Sequence, residues 1–412
     1  MKARPRFGAI LGIAALLLIP SFDTVLKYTG LPGLAAYVAL GIVGVWFAAR
    51  YVVPLYLRVI GERSAVTVAI VVGVILIVLV YIGYPIANSG RFGGGSDMDE
   101  ALLIGAGAIL HGSYPYYQQT YLHEFISVFP GSLILAIPFA ILNAIQYQDL
   151  FWLGVLFLAA RTQLNSAILA LGVILTILVS GPTVYQVLVT GSDHMANTIY
   201  VLMPMWLLIS DSERGQQSHP LLWISSALFL GIALSSRSNF LLLMPLLFSA
   251  VWQNGGLKKA AWSSAIAGVT FLVITVPFWL YDPAGFSPLT VQGSKLRELE
   301  ATLPYAGVIL PLIALSVSIA LATRRMRDGG RTFFLSAAIV QLTALVTTAT
   351  VYTIQAGHFT LFLGTAGYGM FMLIFAAVGL WVSFRETAGQ PSRFAASRAS
   401  SSVTTLPSSC IS

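Results

Sequence analysis

Hydrophobic positions in this chain come in long unbroken runs, unlike the alternation of a half-buried strand or the one-sided stripe of a surface helix. Apolar stretches fall at residues 7–19, 33–49, 65–85, 126–145, 164–180, 194–210, 219–236, 238–252, 261–281, 304–322, 332–352 and 359–384. Most approach the ~20 residues a helix needs to cross the hydrocarbon core of a bilayer. The pattern predicts an all-α polytopic transmembrane bundle of about 11–13 spans in a lipid bilayer. Residues 1–384 form a single membrane domain, and a serine-rich, weakly basic tail at 385–412 is expected to be disordered. Residues 148–160 are apolar but short for a crossing, and are expected to form a half-crossing or interfacial helix on the cytoplasmic side.

The pattern breaks most sharply in the loop at 86–125, which carries the stretch GGGSDMDEALLIGAGAILHGSYPYYQ. Asp97, Asp99 and Glu100 open a segment of mostly high helix propensity, so a juxtamembrane helix is expected over 97–111. Ser96 is a good N-cap, and Asp99 three residues later completes a capping-box pattern. The acids therefore have a plain role, capping a helix and offsetting its positive end. Gly105 and Gly107 weaken the helix expectation.

Composition narrows the class. With 57% apolar and 9% charged residues and a mean hydropathy of +0.84, the chain is excluded from the ordinary soluble domains. The single cysteine, Cys410, excludes an internal disulfide. The net charge of +7 would suit nucleic acid if it lay on one face, but it follows the membrane instead. With both termini in the cytoplasm, most of the 22 basic residues fall inside, including Lys2, Arg4, Arg6, Arg161, Arg324 and Arg327. Only Lys27, Arg91, Arg237, Lys295 and Arg297 fall outside, in company with most of the acids. That asymmetry is the positive-inside signature of orientation and leaves no case for a nucleic-acid partner. Residues 7–19 follow three basic residues but lack a small-x-small cleavage pattern, and are read as an uncleaved first span.

Under this topology the polar residues within or beside spans gather on the external side: Asp193 and His194 opening one span, Arg237 in SSRSN between two short runs, and His358 opening the last. Ionisable residues at membrane depth are costly and are functional candidates by default. Each also has a plain reading, as an N-cap, a snorkelling arginine or a loop hydrogen bond. Tyr114, Tyr116, Tyr117 and Tyr121, with His123 and Glu124, suit either an aromatic interface belt or a platform for a sugar ring.

The order of these pieces resembles the integral-membrane glycosyltransferases of the GT-C superfamily, which include protein O-mannosyltransferases and aminoarabinose transferases. The matching residues are Asp99-Glu100-Ala101, Gly112-Ser113-Tyr114-Pro115-Tyr116 and Phe129-Pro130-Gly131, with GSDHMANTIYVLM at Asp193 and GIALSSRSNFLLLMP at Arg237 fitting more loosely. Two departures stand out: Phe129 replaces the first of a usual proline pair, and no large soluble domain follows the spans. The resemblance implies an inverting transfer of a sugar from a polyprenyl-phosphate carrier to a hydroxyl of a glycolipid, glycan or protein, in the cell envelope, at the external face of a bacterial inner membrane. It implies Asp99 as the base, with Asp97 and Glu100 as substitutes. Arg237 and His358 would hold the donor phosphate, while Asp193, His194, Tyr114, Tyr116 and Tyr117 would line the substrate site. Asp97, Asp99, Asp193 and His194 include oxygen and nitrogen ligands, but no spacing is diagnostic, so a divalent metal stays open. The competing class is a multi-spanning transporter or lipid flippase, which would use the same charges and broken segments as a substrate path. A purely structural membrane subunit would tolerate loss of the acids.

Overall fold

The computed structural model describes residues 7–91, 96–215, 219–360 and 365–387. Lys2, Arg4, Arg6, the glycines at 93–95, the side chain of Lys295 and the tail beyond 387, with Cys410, lie outside the described residues.

The fold is the expected all-α bundle, with no strand among the described residues. The first half contains α1 (Phe7–Leu18), α2 (Phe22–Phe47), α3 (Val53–Val59), α4 (Glu62–Ala87), α5 (Met98–Leu110), α6 (Pro130–Ile141), α7 (Gln148–Leu164), α8 (Ala167–Val179) and α9 (Pro182–Thr190). The second half contains α10 (His194–Glu213), α11 (Pro220–Leu234), α12 (Met244–Gly255), α13 (Leu257–Tyr281), α14 (Ser287–Arg297), α15 (Ala306–Ala322), α16 (Arg331–Ala356) and α17 (Thr365–Thr387).

Five described segments are long and apolar enough to cross a membrane, and seven if two bent helix pairs each count as one span. The larger number expected from the sequence also counts α11 and α15, which are apolar but short. It counts α10 as well, whose 20 residues include His194, Asp211 and Glu213.

The two ends of the bundle are chemically distinct. At one, Asp211 pairs with Lys259 at 2.7 Å, Gln253 donates to the Arg324 carbonyl, and Arg385 donates to the Gln163 carbonyl. At the other, Tyr84 reaches Asp99 and Arg237 reaches Asp193. We call these the basic and acidic ends.

The segment 126–164 corrects the sequence reading. α6 starts with Ser132 bonded to Asp193 and ends beside Asn143 and Ile145, which line a cavity with Asp99 and Tyr84. Both its ends therefore lie at the acidic end, so α6 does not carry the chain across. The crossing is made by α7, from Asp149 beside the first turn of α10 to Gln163 at the basic end. The half-crossing expected at 148–160 and the full crossing expected at 126–145 exchange roles. The elements downstream keep their orientation. Length misled here: α7 has 17 residues, and the apolar run of α6 belongs to a layer packed on protein.

α5 and α6 form that layer, with Leu102 and Ala106 packed on Ile126 and Leu133. Gly105 allows the approach, since a Cβ there would sit 2.6 Å from a Leu133 methyl. α6 docks head-on against the end of α11: Gly131 N–H donates to the Ser235 carbonyl at 2.6 Å and Phe129 N–H to the Ser236 carbonyl at 3.3 Å. The free donors of one helix start thereby satisfy the free acceptors of another helix end, as a low-dielectric setting requires. Only glycine fits at 131, because a Cβ would meet the Ile232 carbonyl oxygen at 2.2 Å.

Candidate functional site

The site is assembled where α5, the start of α10 and the break after α11 meet. Met98 begins α5, and its first turn holds Asp99 and Glu100, where carboxylates complement the helix dipole. The cap differs from expectation. Asp97 occupies the N-cap position without a side-chain cap bond, while Ser96 Oγ accepts from Met98 N–H. Asp99 does not close a capping box. It turns inward and accepts a 2.5 Å hydrogen bond from the Tyr84 hydroxyl, in the last turn of α4.

The three acids part company. Asp97 accepts from Thr120 Oγ1 at 2.7 Å and Glu100 from Tyr121 N–H at 2.7 Å, so both anchor the loop that carries the tyrosines. Asp99 alone is buried, at 8% exposure. Burial pushes its carboxyl above the usual carboxylate range, and the Tyr84 bond draws it part of the way back.

Gly191 links this acid to the next. Its φ of 70° ends α9 in a conformation suited to glycine, and a Cβ there would lie 3.1 Å from Asp99 Cβ and from the Tyr84 ring. Two residues on, Asp193 occupies the N-cap position of α10 without a side-chain cap bond and instead pairs with Arg237 at 2.8 Å, both side chains essentially excluded from solvent. Ser132 Oγ also donates to Asp193. Arg237 lies in extended backbone between α11 and a 3₁₀ turn, and its Nη2 also touches Met98 Sδ at 3.1 Å. Tyr368 lies over the guanidinium at 5.9 Å.

Several buried atoms here have no hydrogen-bond partner among the described residues: Arg237 Nε, His194 Nε2, Asn197 Nδ2 and Asp149 Oδ2. His194 is held by Ser192 at 2.5 Å and by the rings of Tyr368 and Phe371. Asp149 accepts from Ala196 N–H in the first turn of α10. The sequence reading missed Tyr84, Ser132, Asp149 and Asn197. Only Asp149, an acid at the start of an apolar run, carried a signal.

Other expectations are corrected. His358 does not open the last span; it follows α16, exposed, with its ring against the Ala356 carbonyl, and no described contact joins it to Arg237 or Asp193. Tyr116 is 1% exposed and packs on Phe278 and Phe286, so it is a core residue. Tyr114 stacks on Tyr281 at 4.8 Å and Tyr117 donates to Asp282 at 2.9 Å. These tyrosines tie the loop after α5 to the end of α13. Asp193 and His194 are buried supports beneath the site. Asp97, Asp99, Asp193 and His194 do not gather into a metal set, and the described residues hold no group of three or more such ligands.

One cavity adjoins the site, and a separate groove lies along α2. A cavity of about 210 Å³ is lined by Tyr84, Asp99, Glu100, Leu103, Asn143, Ile145 and Gln146. An open apolar groove of about 590 Å³ runs along α2 past Phe22, Leu34 and Val38 to Phe359. The back of α2 is joined to α9 by Thr24, which hydrogen-bonds Thr183 and Gln186. No family model, curated protein or solved structure matches the chain.

Proposed function

We propose that the protein is a membrane glycosyltransferase that moves a sugar from a polyprenyl-phosphate carrier to an acceptor hydroxyl at the acidic end of the bundle. The observation that carries this reading is one buried carboxylate, Asp99, that lines a cavity while its neighbour Met98 touches the buried Arg237. In this reading Asp99 accepts the proton of the acceptor hydroxyl as the oxygen attacks the anomeric carbon. The bond from that carbon to the phosphate oxygen breaks, and the carrier phosphate leaves with the electron pair. Tyr84 holds the carboxylate in place, a geometric requirement of base catalysis. Arg237, with an unbonded Nε, supplies positive charge for the departing phosphate. The apolar groove along α2 suits the carrier's isoprenoid tail. The basic end is then cytoplasmic and the site external, as the charge distribution favours.

The test is Asp99→Asn, which keeps the Tyr84 bond while removing the base. Transfer from a polyprenyl-phosphate hexose should fall by ~10³-fold, within the range for general-base loss, with membrane insertion unchanged. Retained transfer would exclude Asp99. The transporter reading draws on the helix bends of 112° and 89° at α6–α7 and α8–α9. It gains if the parent protein turns over no such donor yet moves a lipid-linked sugar between leaflets.

A further inference from the structure

The cavity beside Asp99 has a composition of its own. Its polar lining comes from Asp99, Glu100, Tyr84, Asn143 and Gln146, while Leu103 and Ile145 supply an apolar patch. Asn143 and Gln146 project from the α6–α7 turn, where Asn143 takes the left-handed conformation at φ 49°. Neither carboxamide hydrogen-bonds to another described group, so each offers a donor pair and an acceptor. Among the described residues the lining carries two carboxylates and no cation. A phosphate placed there would face Asp99 and Glu100, whereas Arg237 is not in the described lining and reaches Met98 and Asp193 instead.

From this we infer that the cavity is the acceptor site, and that its ligand is a compact, uncharged polyol of about one sugar ring. The inference rests on the transfer reading and deepens it by naming the acceptor class. About 210 Å³ is room for roughly seven waters at ~30 Å³ each, which is the scale of a single pyranose. Carboxamides and carboxylates meet ring hydroxyls, and the Leu103–Ile145 patch meets the ring's apolar face. One hydroxyl then lies against Asp99, as base catalysis requires. An anionic acceptor is disfavoured by two like charges. A serine or threonine within a polypeptide would also need an extended channel for its flanking backbone.

The experiment uses the full-length protein with a polyprenyl-phosphate hexose and a panel of acceptors: methyl hexosides, myo-inositol, glycerol 3-phosphate and a threonine-containing hexapeptide. Methyl hexosides or inositol should be glycosylated at least tenfold faster, by kcat/KM, than the phosphate or the peptide. Asn143→Ala and Gln146→Ala should each raise the acceptor KM about fivefold to tenfold with a smaller change in kcat. Leu103→Trp, which fills the cavity, should abolish transfer to polyols. Peptide glycosylation equal to that of the polyols, or an acceptor KM unmoved in both carboxamide variants, overturns the acceptor assignment alone. Absence of any donor turnover overturns it together with the transfer reading.

Discussion

Each end of α10 holds an ion pair, and the two are built to opposite standards. At the basic end, Lys259 donates to the Asp211 carboxylate and to its carbonyl, and His219 N–H donates to the other carboxylate oxygen. At the acidic end, Asp193 and Arg237 are more deeply buried, yet Arg237 Nε, His194 Nε2, Asn197 Nδ2 and Asp149 Oδ2 are left without partners among the described residues. A buried polar atom left unpaired costs about 1–3 kcal/mol, and such atoms gather where a fold serves something besides its own stability. The basic end resembles a finished clamp. The acidic end resembles one held open for a ligand.

Breaking each clamp sharpens the contrast. Arg237→Met strands the Asp193 charge and should cost about 3–5 kcal/mol of stability, read as a lowered Tm in detergent. The double variant Asp193→Leu/Arg237→Met should recover most of that loss, with sugar transfer still absent. Recovery of transfer as well would make the pair purely structural. Tyr84→Phe should lower kcat about tenfold, or ~1.4 kcal/mol. Because the Tyr84 bond lowers a carboxyl that burial has raised, its loss should also move the acid limb of the pH–rate profile to higher pH. The direction follows from the base being active only when ionised, so rate is lost as pH falls through its folded-state value. An unmoved limb would assign that limb to another group. Stability has the opposite sign. A raised carboxyl makes ionised Asp99 a cost to the fold above its folded-state value, and the cost vanishes as pH falls below the unfolded-state value. The smallest effect belongs to the finished clamp: Lys259→Met should cost about 1–2 kcal/mol, since His219 N–H remains on Asp211, with transfer kinetics unchanged.

The sequence was informative where chemistry is local and mute where it depends on facing. The apolar runs located helices such as α8 and α11 closely, whereas α2 starts well ahead of its run and α9 and α14 had none, and the acidic stretch marked a helix start. What it could not resolve is which of three adjacent acids points inward. Successive helix residues project ~100° apart, so Asp97, Asp99 and Glu100 look alike until the Thr120–Tyr121 loop claims the outer two. Of the residues expected to converge from their shared side of the membrane, Asp193 and Arg237 pair directly and Arg237 reaches Met98 beside Asp99, while His358 has no described contact with them. Sidedness fixes depth and leaves lateral position free. The exchanged roles of α6 and α7 have a similar cause. Apolar length cannot separate a helix facing lipid from one whose partners are protein, as Leu133 and Ala136 are buried against α5 and its loop.

That α6 begins and ends on one face has a mechanical consequence. A bilayer of changed thickness acts on helices whose ends meet opposite surfaces, and such helices respond by tilting. The α5–α6 layer has no second surface to meet, so it rides with the headgroups while α4, α13 and α16 tilt beneath it. Asp99 thus stays at a constant depth below the water as acyl chains lengthen or shorten.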